Sequence, residues 1–324
     1  MKIRTIVFVT AAFALAVVAI AGPAAAQAPY DRIVVFGTSL SDPGNAFALW
    51  GSSSTPPDYL LDPLLVPSAP YARGGQHFSN GATWVEQLAR SIGLAASVRP
   101  AFTGADSHAS NYAVGGARAR EDGINMNLAA QVDVFLQQAQ GVAPASALYV
   151  IEMGSNDVRD AFVAFSTRQD GGAILRAANV SIAAAIQRLY AAGARKFLVW
   201  RVPDIGLTPA LRTIDRLNPG AAQFAGLVTQ GFNTALDGVV AQLSALPGSD
   251  IARLDAYGLI KQLVNRPDDF GLTDVMDACV TPDVAPFACD RPDQFLFWDG
   301  IHPTKGVHAI TAQEAAHALA AGRR

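Results

Sequence analysis

The chain has 324 residues, with 24 Lys and Arg against 27 Asp and Glu, and a formal charge of −3. Hydrophobic residues make up 51% and charged residues 16%. This composition excludes general disorder. The faintly acidic balance excludes the basic surface that nucleic acid requires.

The N-terminus reads as an export signal. Lys2 and Arg4 form a short basic start. An apolar stretch runs from Ile6 to Ala21, and Gly22, Pro23 and Ala24 to Ala26 follow it. Basic start, apolar middle and small-residue end are the parts of a secretory signal peptide. Cleavage is expected after Ala26, leaving 27–324 as one domain. The alternative, a permanent anchor, suits the stretch less well, because it falls short of the roughly 20 residues that span a bilayer. Residues 27–324 hold no second run of that length, so no stable membrane anchor and a periplasmic or extracellular home are expected.

In chain order, apolar runs occur at Arg32 to Phe36, Ala147 to Ile151, Lys196 to Trp200 and Asp250 to Leu254. Continuous apolar runs fit strands covered on both faces, as in a parallel sheet. Helical spacing occupies Thr83 to Ile92, Leu128 to Gln140, Ala173 to Ala192, Ala221 to Leu246 and Gly306 to Ala321. This alternation predicts an α/β domain with helices on both faces. Five prolines between Gly51 and Pro70 forbid a regular helix there. That stretch and Arg266 to Trp298 are expected to be long loops, a class that often carries function. Cys279 and Cys289 lie in the second loop. In an oxidising compartment they pair as a disulfide. A metal pair is the rival reading, but no further ligand stands nearby at zinc spacing.

The first strand runs directly into Gly37, Thr38 and Ser39. Ligands of open parallel sheets bind at the carboxyl ends of strands. A serine presented there can attack an acyl carbon if a base takes its proton. Near the other end, Asp299 and His302 stand three apart, in a segment that Gly300 and Pro303 keep from being a plain helix. That spacing lets the carboxylate reach Nδ1 and leaves Nε2 free for Ser39. Donors for an oxyanion are offered by the glycines of Asn111 to Ala117 and by the amide of Asn156 in Gly154 to Asp157. Each signal is weak alone: Ser39 reads equally as a loop serine, and Asn156 or Asp157 as a helix cap.

Taken in this order, the four segments resemble the blocks of the GDSL, or SGNH, hydrolases. Phe78 to Val85, Val202 to Pro209 and Phe297 to Thr304 also look like that family, the last like its secreted, lipase-like branch. The resemblance covers nearly the whole chain after residue 26. It implies a flavodoxin-like three-layer α/β/α sandwich around a mostly parallel five-stranded sheet. It implies Ser39 as nucleophile, His302 as general base and then acid, and Asp299 as the group that orients His302. It implies an oxyanion hole of the Ser39 and Gly116 N–H groups and the Asn156 amide, with no cofactor and no metal.

One departure stands out. The family usually has Asp directly before the nucleophile, and this chain has Thr38, so a looser nucleophile turn and weaker activity are expected. The function implied is a secreted carboxylic-ester hydrolase working through an acyl-enzyme on a small-molecule or lipid ester, as a monomer. An acyltransferase or lysophospholipase of the same family uses identical residues. A catalytically weakened binding protein is the reading Thr38 alone favours. No G-x-S-x-G elbow competes, and no Gly-rich phosphate fingerprint supports a flavodoxin-like cofactor protein. Trp50, Tyr59, Tyr71 and Trp298 are candidates for the rim of the site or for loop packing. His308 and His317 are assigned to the last helix, to pack or face solvent, and His77 and His108 to loops.

Overall fold

The computed structural model describes residues 30–104 and 108–321. The expected export signal lies outside them. The elements follow in the order β1 (Ile33–Gly37), α1 (Asn45–Trp50), α2 (Trp84–Ser91), α3 (Leu128–Gln138), β2 (Leu148–Glu152), α4 (Ser155–Ser166), α5 (Gly171–Ala191) and β3 (Lys196–Arg201). Then come α6 (Pro209–Leu217), α7 (Ala221–Ser244), β4 (Asp250–Asp255), α8 (Ala256–Asn265), β5 (Asp274–Ala278), β6 (Phe295–Phe297) and α9 (Lys305–Ala321).

β1, β2, β3 and β4 form one parallel sheet in that order. Every residue of β1 and β2 is buried, which is why their apolar runs do not alternate. β4 does alternate, as an edge strand with one wet face does. The expected five-stranded sheet needs correction. The main sheet has four regular strands, and the fifth position, beside β1, is held by irregular chain. There Val35 N–H donates to Ser110 O, Tyr112 N–H to Val35 O and Val114 N–H to Gly37 O. A ladder that tracks the edge of β1 away from β2 without regular strand geometry is what a segment bent toward a functional turn leaves behind.

The amphipathic faces of α3, α5 and α7 pack together on one side of the sheet, with α4 between α5 and α7. On the other side α2 and α9 pack on each other, α9 reaches β4, and α8 reaches β3. The five helices read from periodicity fall within two residues of their observed ends. α1, α4, α6 and α8 lie outside those stretches. α6 and α8 begin at polar caps, Thr208 and Asp255, whose side chains accept helical N–H groups. The stretch from 266 to 298 is not a plain loop. It contains β5 and β6, a small parallel pair with its own apolar cluster around Leu263, Leu272, Leu296 and Val307.

Candidate active site

Gly37 and Glu152, the last residues of β1 and β2, are register partners. The loops that leave them therefore open side by side at the carboxyl end of the sheet. Ser39 lies two residues past β1. Asn156 lies in the first turn of α4, reached through Gly154 at φ +114°, where a Cβ would sit 2.5 Å from the Phe232 ring. Only glycine fits that turn. Asn156 is thus inside the helix, and Gly154 holds the cap position that was the alternative reading of Asn156 or Asp157.

Asp299 and His302 arrive on the loop between β6 and α9. Ser39 Oγ lies 2.8 Å from His302 Nε2, and His302 Nδ1 lies 2.8 Å from Asp299 Oδ2. Asp299 is 0% exposed and His302 is 3% exposed, so water does not compete for this chain of bonds. Asp299 Oδ1 accepts the N–H groups of Ile301 at 2.9 Å and His302 at 2.7 Å, while the Tyr71 hydroxyl donates to Oδ2 at 2.9 Å. Burial, then the Asp299 charge, push the Tyr71 pKa far above its ordinary value. Tyr71 therefore stays a donor.

The loop is fixed from outside as well. Ser79 Oγ donates to Pro303 O at 2.8 Å, Gly300 N–H to Leu65 O at 2.8 Å and Ala210 N–H to Gly300 O at 2.9 Å. The Phe78 ring centroid stands 5.5 Å from that of His302. The segments around Phe78 and Val202 to Pro209, together with the proline-rich loop, thus converge on the histidine.

On the other side of Ser39, the Asp42 carboxylate accepts Gly44 N–H at 2.8 Å, Asn45 N–H at 2.6 Å and Gly115 N–H at 2.8 Å. It ties the serine turn to the glycine segment. Burial pushes its pKa up to about 6, against the pull of those backbone donors. A Cβ on Gly115 would lie 2.2 Å from the Phe78 ring, and Gly116 has φ +77°. The pair serves two needs, close approach at the first glycine and left-handed backbone at the second. Among the described residues, the Ser39 and Gly116 N–H groups have no acceptor. The Asn156 amide gives one N–H to Ala117 O at 2.9 Å and keeps the other.

Ser39, Asn156 and His302 share the wall of one cavity. Leu211, Leu259, Ile260, Leu263, Leu296 and Val307 form its far walls, supplied by α6, α8, β6 and α9. Trp50, Tyr59, Tyr71 and Trp298 do not line it. Trp50 is exposed. The Tyr71 ring meets those of Tyr59 and Trp298 edge-on, at centroid distances of 5.7 and 5.6 Å. This cluster packs against the Cys279–Cys289 disulfide and so backs Asp299.

A model of the GDSL-like lipase/acylhydrolase family matches residues 33–315. The chain belongs to that family. Among curated relatives, the thermolabile hemolysin of Vibrio parahaemolyticus is 25% identical over 88% of this chain and 62% of its own length. A GDSL esterase/lipase of Arabidopsis thaliana is 28% identical over 52% of each chain. The phosphatidylcholine-sterol acyltransferase of Aeromonas hydrophila is 27% identical over 93% of this chain and 94% of its own. The chain thus spans only part of the first two relatives.

Several residues of this GDSL-family site were not singled out in the sequence. Asp42 and Asn45 sit in the segment that follows Ser39, and Asn45 Nδ2 donates to the carbonyls of Asn111 and Ala113 at 2.7 and 2.8 Å. Glu152 bonds Thr38. Tyr71 was a rim candidate, not a partner of Asp299; nothing local in the sequence connects positions 71 and 299. His77 is not isolated: its Nε2 lies 2.8 Å from Glu86 Oε2. Burial opposes its charge, but the Glu86 bond and charge outweigh this and raise its pKa. His308 is buried and accepts the Trp84 N–H at Nδ1, 3.2 Å away, while His317 is exposed beside Glu314. Among the described residues, no group of three or more His, Cys, Asp or Glu is placed to hold a metal ion.

Proposed function

We propose that the protein is an exported serine-dependent carboxylic-ester hydrolase. The observation that carries this reading is the unbroken bond chain from Ser39 Oγ through His302 to Asp299, opening on an apolar cavity. Ser39 Oγ attacks the acyl carbon while His302 Nε2 takes its proton. Asp299 accepts from Nδ1–H and stabilises the imidazolium. The carbonyl oxygen becomes an oxyanion, which the Ser39 and Gly116 N–H groups and the free amide N–H of Asn156 are available to meet. Collapse of this intermediate breaks the ester C–O bond, and the alcohol leaves with the proton from His302. Water then attacks the acyl-serine through the same base, releasing the acid and restoring Ser39. The apolar cavity takes the acyl chain.

Export is supported by the basic-apolar-small pattern of residues 1–26 and by the Cys279–Cys289 disulfide, a bond that persists in oxidising compartments. No helix among the described residues is long and apolar enough to cross a membrane.

A second reading, acyl transfer to an alcohol, is favoured by the Aeromonas hydrophila relative, which carries that name and matches nearly end to end. It uses the same first step and differs only in which hydroxyl meets the acyl-enzyme.

The test is hydrolysis of p-nitrophenyl esters from acetate to palmitate, with Ser39→Ala alongside. Activity that rises with acyl length and disappears in the variant is expected. Undiminished hydrolysis by Ser39→Ala would overturn the assignment. Adding a long-chain alcohol and measuring ester formation decides between hydrolysis and transfer.

A further inference from the structure

Arg159 stands three residues after Asn156, so the two project from the same side of α4. Its side chain lines the cavity that holds Ser39 and Asn156. It makes no hydrogen bond and no ion pair with any described residue. The nearest carboxylates are already engaged. Asp160 is held by Arg118 Nε at 3.0 Å and by Arg120 at 2.8 Å. Asp62, which faces Arg159 from the proline-rich loop, accepts the Leu64 and Val66 N–H groups at 2.8 and 2.9 Å. Burial, and then the like charge of Arg118, make the Arg159 proton easier to lose than an ordinary guanidinium's. A half-buried cation with no partner is costly to keep. Its five N–H donors form a planar fork suited to carboxylate and phosphate oxygens.

The position of the fork decides which part of an ester it meets. Leu259, Ile260, Leu263 and Leu296 give the cavity its apolar end, which takes the acyl chain. Arg159 lines the same cavity as Ser39, one turn along α4 from Asn156. With the acyl chain taken by the apolar residues, Arg159 is left for the alcohol part of the ester.

We propose that Arg159 is an anion-recognition residue of this site, selecting esters whose alcohol carries a phosphate or carboxylate group close to the scissile bond. This rests on the ester-hydrolase reading above. The guanidinium would grip the anionic oxygens in the ground and transition states alike, so the effect falls mainly on KM.

The test compares kcat/KM for octanoyl esters of glycerol 3-phosphate, glyceric acid and glycerol, in the wild type, Arg159→Gln and Arg159→Lys. The wild type is expected to favour at least one charged ester over the neutral one by tenfold or more. Arg159→Gln should reduce that ratio to within about threefold, and Arg159→Lys should keep part of it. The phosphate and carboxylate arms tell the two sources apart. Because the readout is a ratio, a general loss of activity in a variant cancels. Should these esters turn over too slowly, protection of Ser39 from fluorophosphonate labelling by octyl phosphate against octanol gives the same comparison. Equal treatment of charged and neutral compounds by the wild type, or an unchanged preference in Arg159→Gln, overturns the proposal. Persisting hydrolysis in Ser39→Ala would instead overturn the nucleophile assignment.

Discussion

The Thr38 hydroxyl donates to the Glu152 carboxylate, 3.1 Å from each of its oxygens, and the Thr38 N–H reaches Oε2 at 2.9 Å. Thr38 stands directly before Ser39, and Glu152 is the fully buried last residue of β2. The Ser39 turn is therefore not short of a carboxylate. One arrives from the neighbouring strand, where Thr38 leaves room for it. Glu152→Val would strand three buried donors, the Thr38 N–H and hydroxyl and the Ser41 hydroxyl, at about 1–3 kcal/mol each. A lower urea midpoint and a reduced kcat are expected. Thr38→Asp alone sets a second carboxylate against Glu152 and should also destabilise. Combining the two substitutions leaves one carboxylate again, so the double variant should be more stable than either single one. Simple additivity of the two losses would contradict this coupling.

Burial pushes the Glu152 pKa up to about 7, against the Thr38 N–H and hydroxyl and the Ser41 hydroxyl. Its unfolded value is 4.5. The folded chain thus holds a proton that the unfolded chain releases, so stability falls as pH rises between 4.5 and about 7. The loss is on the order of 3 kcal/mol for this group. Asp42 has the same sign, between 3.8 and about 6. Unfolding midpoints measured from pH 4.5 to 8 should fall, and Glu152→Gln should flatten the upper part of that fall. A parallel, unflattened curve in the variant would show that the buried carboxyl is not the titrating group.

His308 works in the other direction. Burial pushes its pKa down to about 3, and it accepts the Trp84 N–H through Nδ1, which requires the neutral ring. Its contribution is present above pH 6.5 and lost as pH falls toward 3. His308→Asn should lessen acid destabilisation relative to the wild type below pH 6, read from the same midpoints.

Tyr71→Phe removes one of the donors to Asp299 and leaves the ring's packing in place. A hydrogen bond to a charged group contributes about 1.5–3 kcal/mol. A fall in kcat of about tenfold or more is expected, with KM little changed. Asp299→Asn removes the charge and upsets the tautomer of His302. A loss of about 10⁴ in kcat is the scale seen for such a change elsewhere. Tyr71→Phe activity equal to wild type would mean that the two backbone N–H groups suffice to hold the carboxylate.

The Cys279–Cys289 bond closes a loop with a sequence separation of 10. By chain entropy it contributes about 2–3 kcal/mol. Because the bond backs Tyr71 and Trp298, its loss should reach the site. The pair Cys279→Ser with Cys289→Ser is expected to lower both Tm and kcat, whereas a purely local staple would change Tm alone.

Much of this was legible in the chain itself. The apolar runs at Ile33–Gly37 and Leu148–Glu152 have to be strands buried on both faces, because their side chains offer no polar side to water. Local chemistry likewise marks Ser39 beyond a strand end, the glycine pair 115–116 and the Asp299 to His302 spacing. These features are set by residues near each other in sequence. Tertiary packing decided the rest. Only the fold sets Glu152 beneath Thr38, 114 residues away in sequence, and Tyr71 against Asp299, 228 residues away. The unpartnered state of Arg159 is equally invisible in sequence, since it depends on Arg118 and Arg120 having taken Asp160. The same is true of the fifth sheet position, where residues 110–114 hold β1 without becoming a strand. Periodicity and turn chemistry act over a few residues. The pairing of buried charges and donors is settled only when distant segments compete for the same partners.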